Sequence, residues 1–455
     1  MTRVRYGLRN ACLIGLALAV SACRPSTIDL DDPVISGKSA MQFATNSAPF
    51  SPEDHTSTGK APYVSILSMR AAMHRAVRYS PVLGAVSEEI NARQSEAFQA
   101  GRRPNPELST EVENFGGSGE FSGSNSAETT ISLAQSIELG GKRMKRLRVA
   151  ELDTDLANWD YEAARLSVAS QTLQAFVDVL ASQKRHAIRL EFQRIASRLT
   201  DTVRERVRAG KVSPVELNRA EVEQARAAVS LSEERAALDV ARRKLALFWG
   251  AQSPDFEKAV GKLAATNHLP EPARFNSYLE RNPAVARWAD EMAQRQASLD
   301  LEKARRIPNL TVGAGVRRFE ATDDTAVVAG VSIGLPFFNR NRGNVDAASA
   351  RVAKSIYQRD AAKIELRTRF VEAYGMLSAA EAKLRALENK VLPKASEAFD
   401  ATERGYREGK FDLLNVLDAQ RSLIGIKLDI VNTQAEFHKA KAVIEGLIGR
   451  DLYKL

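Results

Sequence analysis

Apolar positions recur along this chain in two rhythms, one near three and a half residues and one of two. From Gly141 through Ala209 run 69 residues without a proline or an internal glycine. Within them Leu152, Trp159, Leu166, Leu173 and Leu180 fall at intervals of seven, and Leu156, Ala163, Ser170 and Val177 follow four residues on. A 4,3 spacing of apolar and small side chains is a coiled-coil seam, narrower than the stripe of an ordinary surface helix. The seam slips by one residue after Leu180 and resumes at Ile188, Phe192, Ile195, Leu199 and Val203. At ~1.5 Å per residue such a helix spans on the order of 100 Å, so it must lie against other long helices. A second helical pattern runs from Ser65 to Gln99, is interrupted at Ser80-Pro81, and is ended by Pro104 and Pro106.

The period-two segments are short. Leu310, Val312, Ala314 and Val316 alternate with Thr311, Gly313 and Gly315; Val327, Ala329, Val331, Ile333 and Leu335 alternate mainly with Gly330, Ser332 and Gly334. Residues 107–115 and 129–138 show the same pattern more weakly, around a flexible polar loop from Gly116 to Gly123. One-face-apolar strands of about ten residues have the length a tilted membrane strand needs.

The two rhythms recur at an offset near 200 residues. Ser80-Pro81-Val82 matches Asn282-Pro283-Ala284, Ile131-Ser132-Leu133 matches Val331-Ser332-Ile333, Arg208-Ala209-Gly210-Lys211 matches Arg407-Glu408-Gly409-Lys410, and Phe248-Trp249-Gly250 matches Leu447-Ile448-Gly449. Ordered landmarks across so long a unit predict a duplicated half-molecule, far longer than a solenoid repeat. The predicted boundaries are 63–250 and 273–450 for the repeats, 251–272 for a linker and 451–455 for a tail.

The N-terminus alters the picture of where this architecture resides. Arg3, Arg5 and Arg9 precede an apolar run from Ala11 to Val20, so residues 1–22 are predicted to be an export signal. Val20-Ser21-Ala22-Cys23 is similar to a bacterial lipobox, which implies a lipid on Cys23 as the first mature residue. Arg24, not aspartate, follows it; the resemblance to Gram-negative lipoproteins then implies outer-membrane sorting. The only other cysteine is Cys12, inside the signal, so the mature chain keeps no thiol for a disulfide or thiolate metal site. Residues 23–62, rich in Pro, Ser, Thr, Gly and Asp, form an extended leader. No run of 18 apolar residues follows the signal, which leaves a closed β-barrel as the route through a bilayer. Two strands per half give four per chain, too few to close, and open edges cannot face lipid. A homotrimer supplies twelve. The predicted class is an α+β membrane protein: a trimeric twelve-stranded barrel continued by a long helical coiled-coil barrel.

Composition chiefly excludes. The formal net charge is +9, but both signs are interspersed along the helices and no nucleic-acid motif appears, so no nucleic-acid partner is expected. The five histidines, His55, His74, His186, His268 and His438, contain no pair at three or four residues, hence no zinc spacing and no predicted cofactor beyond the lipid. The one Gly-x-Ser-x-Gly run, Gly330-Val331-Ser332-Ile333-Gly334, falls inside a period-two segment and not at a strand-to-helix turn, and there is no phosphate loop. Neither an envelope hydrolase nor a purely structural coiled-coil lipoprotein explains helices, strands and repeat together; a passive conduit does.

From about Ser65 to Gly449 the chain resembles the TolC family of trimeric outer-membrane efflux factors. The resemblance is carried by Ile137-Glu138-Leu139-Gly140-Gly141-Lys142-Arg143, by Gly334-Leu335-Pro336-Phe337-Phe338-Asn339-Arg340-Asn341-Arg342-Gly343, and by Tyr406-Arg407-Glu408-Gly409 followed by Leu413-Leu414-Asn415-Val416-Leu417-Asp418-Ala419. The first two motifs are most similar to the branch that serves RND pumps exporting heavy-metal cations; a multidrug or type I secretion conduit is the alternative. The resemblance implies a periplasmic membrane-fusion adaptor and an inner-membrane RND pump as partners. It also implies tip turns at Gly210-Lys211 and Gly409-Lys410 that contact the adaptor, and a constriction formed by Tyr406, Glu216, Asn415 and Asp418. Asn415 stands where an acid often lies, and Phe411 where some members carry a gating arginine. The basic residues Lys142, Arg143, Arg340 and Arg342 are expected to anchor to phosphates of outer-membrane lipid at the barrel rim.

Overall fold

The computed structural model describes residues 61–264, 269–449 and Leu452. All lie in one compact unit; Cys23, His55 and His268 fall outside the described residues.

The elements of the first half are β1 (Val64–Ser68), α1 (Met69–Tyr79), α2 (Pro81–Ala100), β2 (Glu107–Glu113), β3 (Glu128–Ile137), α3 (Lys142–Arg208) and α4 (Pro214–Leu247). A strand β4 (Phe256–Val260) precedes the second half. That half comprises the short α5 (Asn276–Leu279) and α6 (Pro283–Ala286), then α7 (Trp288–Arg305), β5 (Leu310–Phe319), β6 (Asp324–Ile333), α8 (Arg342–Ala386), a π turn (Leu387–Val391), α9 (Leu392–Arg407) and α10 (Leu413–Ile448).

The long helix predicted from the seam is α3, 67 residues without a break. Its burial is wider than the seam. Leu152, Leu156, Trp159, Val177 and Leu180 are buried, and so is a second stripe of Ala157, Tyr161, Val168, Thr172, Phe176 and Val179. Two stripes arise because helices flank α3 on more than one side: α2 and α7 toward its start, α4 and α10 further along.

Two expectations are corrected. Residues 64–68, taken as the start of a helix, are a strand paired in parallel with β4, which itself lies within the expected linker (Val64↔Phe256, Ile66↔Lys258, Ser68↔Val260). Leu67, Phe256 and Ala259 pack against Phe176 and Leu180 of α3 and Leu245 of α4, so this small sheet belongs to the helical core. The Gly-rich loop after β2 is folded on itself through Gly116 N–H to the Gly123 carbonyl (2.8 Å) and Gly117 N–H to the Phe121 carbonyl (2.8 Å).

The other four strands form one antiparallel sheet in the order β2-β3-β5-β6. The register puts Glu128, Thr130, Ser132 and Ser136 opposite Phe319, Arg317, Gly315 and Thr311, and so on one face. Ile131, Leu133, Ile137, Val316, Ala314, Leu310, Val327, Val331 and Ile333 share the other. A backbone ladder with period-two side chains sorts the faces in this way. Gly315 is required by the close approach of β3, since a Cβ there would lie 2.4 Å from the Ile131 carbonyl oxygen. β2 and β6 each leave one edge unpaired within the chain.

Candidate functional site

The helical runs α3/α4 and α9/α10 each reverse at a glycine in the left-handed region, Gly210 (φ 67°) and Gly409 (φ 77°). The hydrogen bonding is the same at both turns. Lys211 N–H donates to the Arg206 carbonyl (2.9 Å) and Gly210 N–H to Val207 (2.9 Å); Lys410 N–H donates to Gly405 (2.7 Å) and Gly409 N–H to Tyr406 (3.0 Å). These are glycine-terminated helix ends, in which the last carbonyls are satisfied by a chain that reverses direction. The next helix then starts on Ser213, whose hydroxyl accepts from Val215 N–H, or on Asp412.

Tyr406 binds the two turns together. It is 1% exposed, packed among Phe192, Leu199, Val203, Phe399, Leu413 and Leu417. Its hydroxyl donates to Glu216 Oε2 at 3.2 Å. The Arg206 guanidinium lies 4.5 Å from the ring centroid and donates to the Tyr406 carbonyl. Burial and the adjacent Glu216 charge push the phenol up to about 12, so it stays protonated as a donor. Glu216 is thus held by Tyr406 of its own chain.

Asn415 and Asp418 lie one turn apart on the exposed side of α10. Asp418 pairs with Arg421 (3.2 Å), which also reaches Glu223 of α4 (2.6 Å). Phe411 covers Gly405; a Cβ on Gly405 would come within 2.1 Å of the ring. Arg206, Gly405 and Arg421 are parts of this site that sequence reasoning missed. Arg421 was accessible as the residue three after Asp418, and Arg206 as the counterpart of Gly405 at the 199-residue offset.

The strand-to-helix junctions differ from the expected lipid anchors. Lys142 is 9% exposed and its ammonium donates to Asn309 Oδ1 at 2.5 Å; burial pushes its pKa down. The Lys142 ammonium is thus engaged within the protein. Nearby, Arg146 clasps Glu138 (2.6 and 3.1 Å) and donates to the carbonyls of Ala100 and Arg102. The Arg146 hydrogen bond holds the Glu138 carboxyl below its usual value. Arg143 is half-buried, while Arg340 and Arg342 are exposed.

Among the described residues no helix is long and apolar enough to cross a membrane, and no group of three or more His, Cys, Asp or Glu side chains is placed to hold a metal ion. The sheet with one apolar face and the paired helical hairpins therefore carry the identification. The family model described as outer membrane efflux protein matches residues 72–251 and 275–450, and the chain belongs to that family. It is an efflux channel protein of the outer membrane, and not an enzyme. The chain is 35% identical over 384 residues to the cobalt-zinc-cadmium resistance protein CzcC of Cupriavidus metallidurans, covering 84% of this chain and 90% of that one. It is 27% identical to the nickel-cobalt-cadmium resistance protein NccC of Alcaligenes xylosoxydans xylosoxydans, over 67% of each. In fold it resembles the outer membrane protein VceC of Vibrio cholerae, with a TM-score of 0.70, 17% identity, and coverage of 84% of this chain and 96% of that one.

Proposed function

We propose that three copies of this chain close one twelve-stranded barrel, continued by their helices, and that the conduit exports heavy-metal cations. The observation that carries the assembly is the open sheet. It has one apolar face, and both of its edges, β2 and β6, are unpaired within the chain. Such a sheet is stable in lipid only when neighbouring copies complete the ladder. The matched segments 72–251 and 275–450 and the recurring helix–strand–strand–helix order support a duplicated chain.

The metal cargo is supported by the names of the relatives CzcC and NccC and by the polar face of the sheet. There Glu107, Glu111, Glu113, Glu128 and Asp324 face a single arginine, Arg317, which bonds Glu128 (2.8 Å) and Glu113 (3.0 Å). A lumen with excess carboxylate favours cations. Selectivity and energy reside in an inner-membrane RND pump joined through a periplasmic adaptor, which meets the turns at Gly210-Lys211 and Gly409-Lys410. Tyr406 holds the constriction closed with Glu216, while Asn415 and Asp418 line it. Arg143, Arg340 and Arg342 anchor to lipid phosphate, and acylated Cys23 tethers the N-terminus.

Native mass spectrometry of detergent-extracted protein tests the assembly: a trimer is expected, and a stable monomer with a complete barrel overturns it. Deletion of the gene from its host tests the cargo; it should sensitise cells to cobalt, zinc or cadmium, and sensitivity to hydrophobic drugs alone overturns the metal reading. Intact-mass comparison of the wild type with Cys23→Ser tests the lipid, and equal masses after allowance for the substitution remove it.

A further inference from the structure

The two strand-to-helix junctions of the chain differ in length and in chemistry. After β3 only Glu138–Gly141 intervene before α3, and they are enclosed: Glu138 by Arg146, and Gly140 by Ile307, 2.7 Å from where a Cβ would sit. After β6 the connection is Gly334–Asn341, twice as long, and its extra residues are apolar. Leu335 is 65% exposed, Phe337 68% and Phe338 fully exposed. Both ends of this segment are fixed. Ile333 is in the ladder opposite Leu310, and Asn341 donates to the Glu302 carbonyl (2.9 Å) and to its carboxylate (2.8 Å). Three large apolar side chains are therefore displayed by a segment anchored at both ends.

We infer that Leu335, Phe337 and Phe338 form a wedge that inserts into the inner, phospholipid leaflet of the outer membrane, with Arg340 and Arg342 on its phosphates. The inference rests on the proposal that the apolar face of the sheet is the membrane-facing wall. Three observations select lipid as the occupant. Leu335, Phe337 and Phe338 follow directly on β6, whose Val327, Val331 and Ile333 lie on the apolar face, and the chain turns at Pro336, where Phe337 N–H donates to the Leu335 carbonyl (2.9 Å). The exposed Arg340 and Arg342 follow within five residues of Phe337, in the order hydrocarbon, ring, cation expected on crossing an interface. The first-half junction carries no such apolar insertion, and its basic residues Lys142 and Arg146 are engaged within the protein. The wedge therefore occurs once per chain, at the boundary where β6 meets the neighbouring copy.

The test replaces Phe338 with tryptophan and records the emission added over wild type in bilayers of phosphatidylethanolamine and phosphatidylglycerol. Wild type is the correct baseline because Trp159 and Trp249 are buried and Trp288 partly so, all outside the sheet. Lipids brominated near the headgroup should quench the added emission about twofold more than lipids brominated deep in the chain, as for a ring at the interface. The Arg340→Gln, Arg342→Gln double variant should lose about fivefold per arginine of the preference for phosphatidylglycerol. Equal emission in brominated and plain lipid, from protein that still conducts in planar bilayers, overturns the wedge and leaves the channel intact; a site covered by the neighbouring chain gives this result. Shallow quenching in protein that does not conduct counts against the channel and not the wedge.

Discussion

The turn after α3 and the turn after α9 share a backbone and differ in nearly every side chain that matters. At the offset of 199, Arg206 corresponds to Gly405, Val207 to Tyr406, Val212 to Phe411, Glu216 to Asn415 and Arg219 to Asp418. The first turn supplies a cation and a carboxylate. The second supplies the aromatic ring between them and the glycine that leaves room for Phe411. Neither turn could make these contacts with a copy of itself. Two like hairpins have become complementary, and one buried residue reads both.

The largest expected effect breaks that asymmetry at its centre. Tyr406→Ala empties a fully buried aromatic site and should cost about 3–5 kcal/mol of stability. Val207→Ala, at the corresponding place in the first turn, should cost about 1 kcal/mol. Thermal denaturation of the two variants gives the comparison, and planar-bilayer recording should show raised conductance for Tyr406→Ala alone. Arg206→Ala removes the cation over the ring and the donor to the Tyr406 carbonyl, an expected loss of about 2 kcal/mol in the same assay.

The hydroxyl of Tyr406 is addressed by pH. Its pKa is raised above the ordinary 10 to about 12 in the folded tip. The stability it contributes is therefore complete below pH 10 and is lost as the pH rises through 12. In Glu216→Gln the adjacent charge is gone, so the phenolate absorbance at 295 nm assigned by difference from Tyr406→Phe should appear at lower pH than in the parent protein. An unmoved titration would separate Glu216 from Tyr406.

The smallest effects concern the exposed charges. Asp418→Asn should lower cation preference in bilayer recordings, and Arg421→Gln should raise it, because Arg421 neutralises both Asp418 and Glu223. Both changes should fade at high salt, where exposed charges are screened within about 3 Å at 1 M. Equal behaviour of the two variants would place the selective charge elsewhere.

The long helix and the four strands of the sheet were legible in the sequence because their signals are local. A heptad seam or an alternation shows itself within ten residues. The two turns were legible because glycine marks them. The β1/β4 pair was not: Val64–Ser68 has only five residues, and what makes it a strand is Phe256–Val260, 192 positions away. The surroundings of Lys142 were hidden for a related reason. A run of basic residues looks solvated until Asn309, from the other half of the chain, closes over its first member. Tyr406 and Glu216, which the structure brings together, were legible as positions, while the partner that holds the ring, Arg206, depends on contacts between hairpins.

The π turn at Leu387–Val391 has a consequence for the wall that contains it. Upstream, the buried positions Leu366, Phe370, Ala373, Leu377, Ala380 and Leu384 keep a strict 4,3 step. Carried onward, that step would reach 398, which is exposed, while its neighbour Phe399 is buried, as are Gly405 and Tyr406 near the turn. A π turn takes up one residue more than an α turn, so it corrects the phase by the ~100° that a residue occupies on a helix. Pro393, just beyond it, lacks the N–H that regular winding would demand. Tyr406 thus owes its inward aim to a counting error installed some fifteen residues earlier. Removing any one residue of 387–391 would leave a smoother helix whose final four turns face the wrong way.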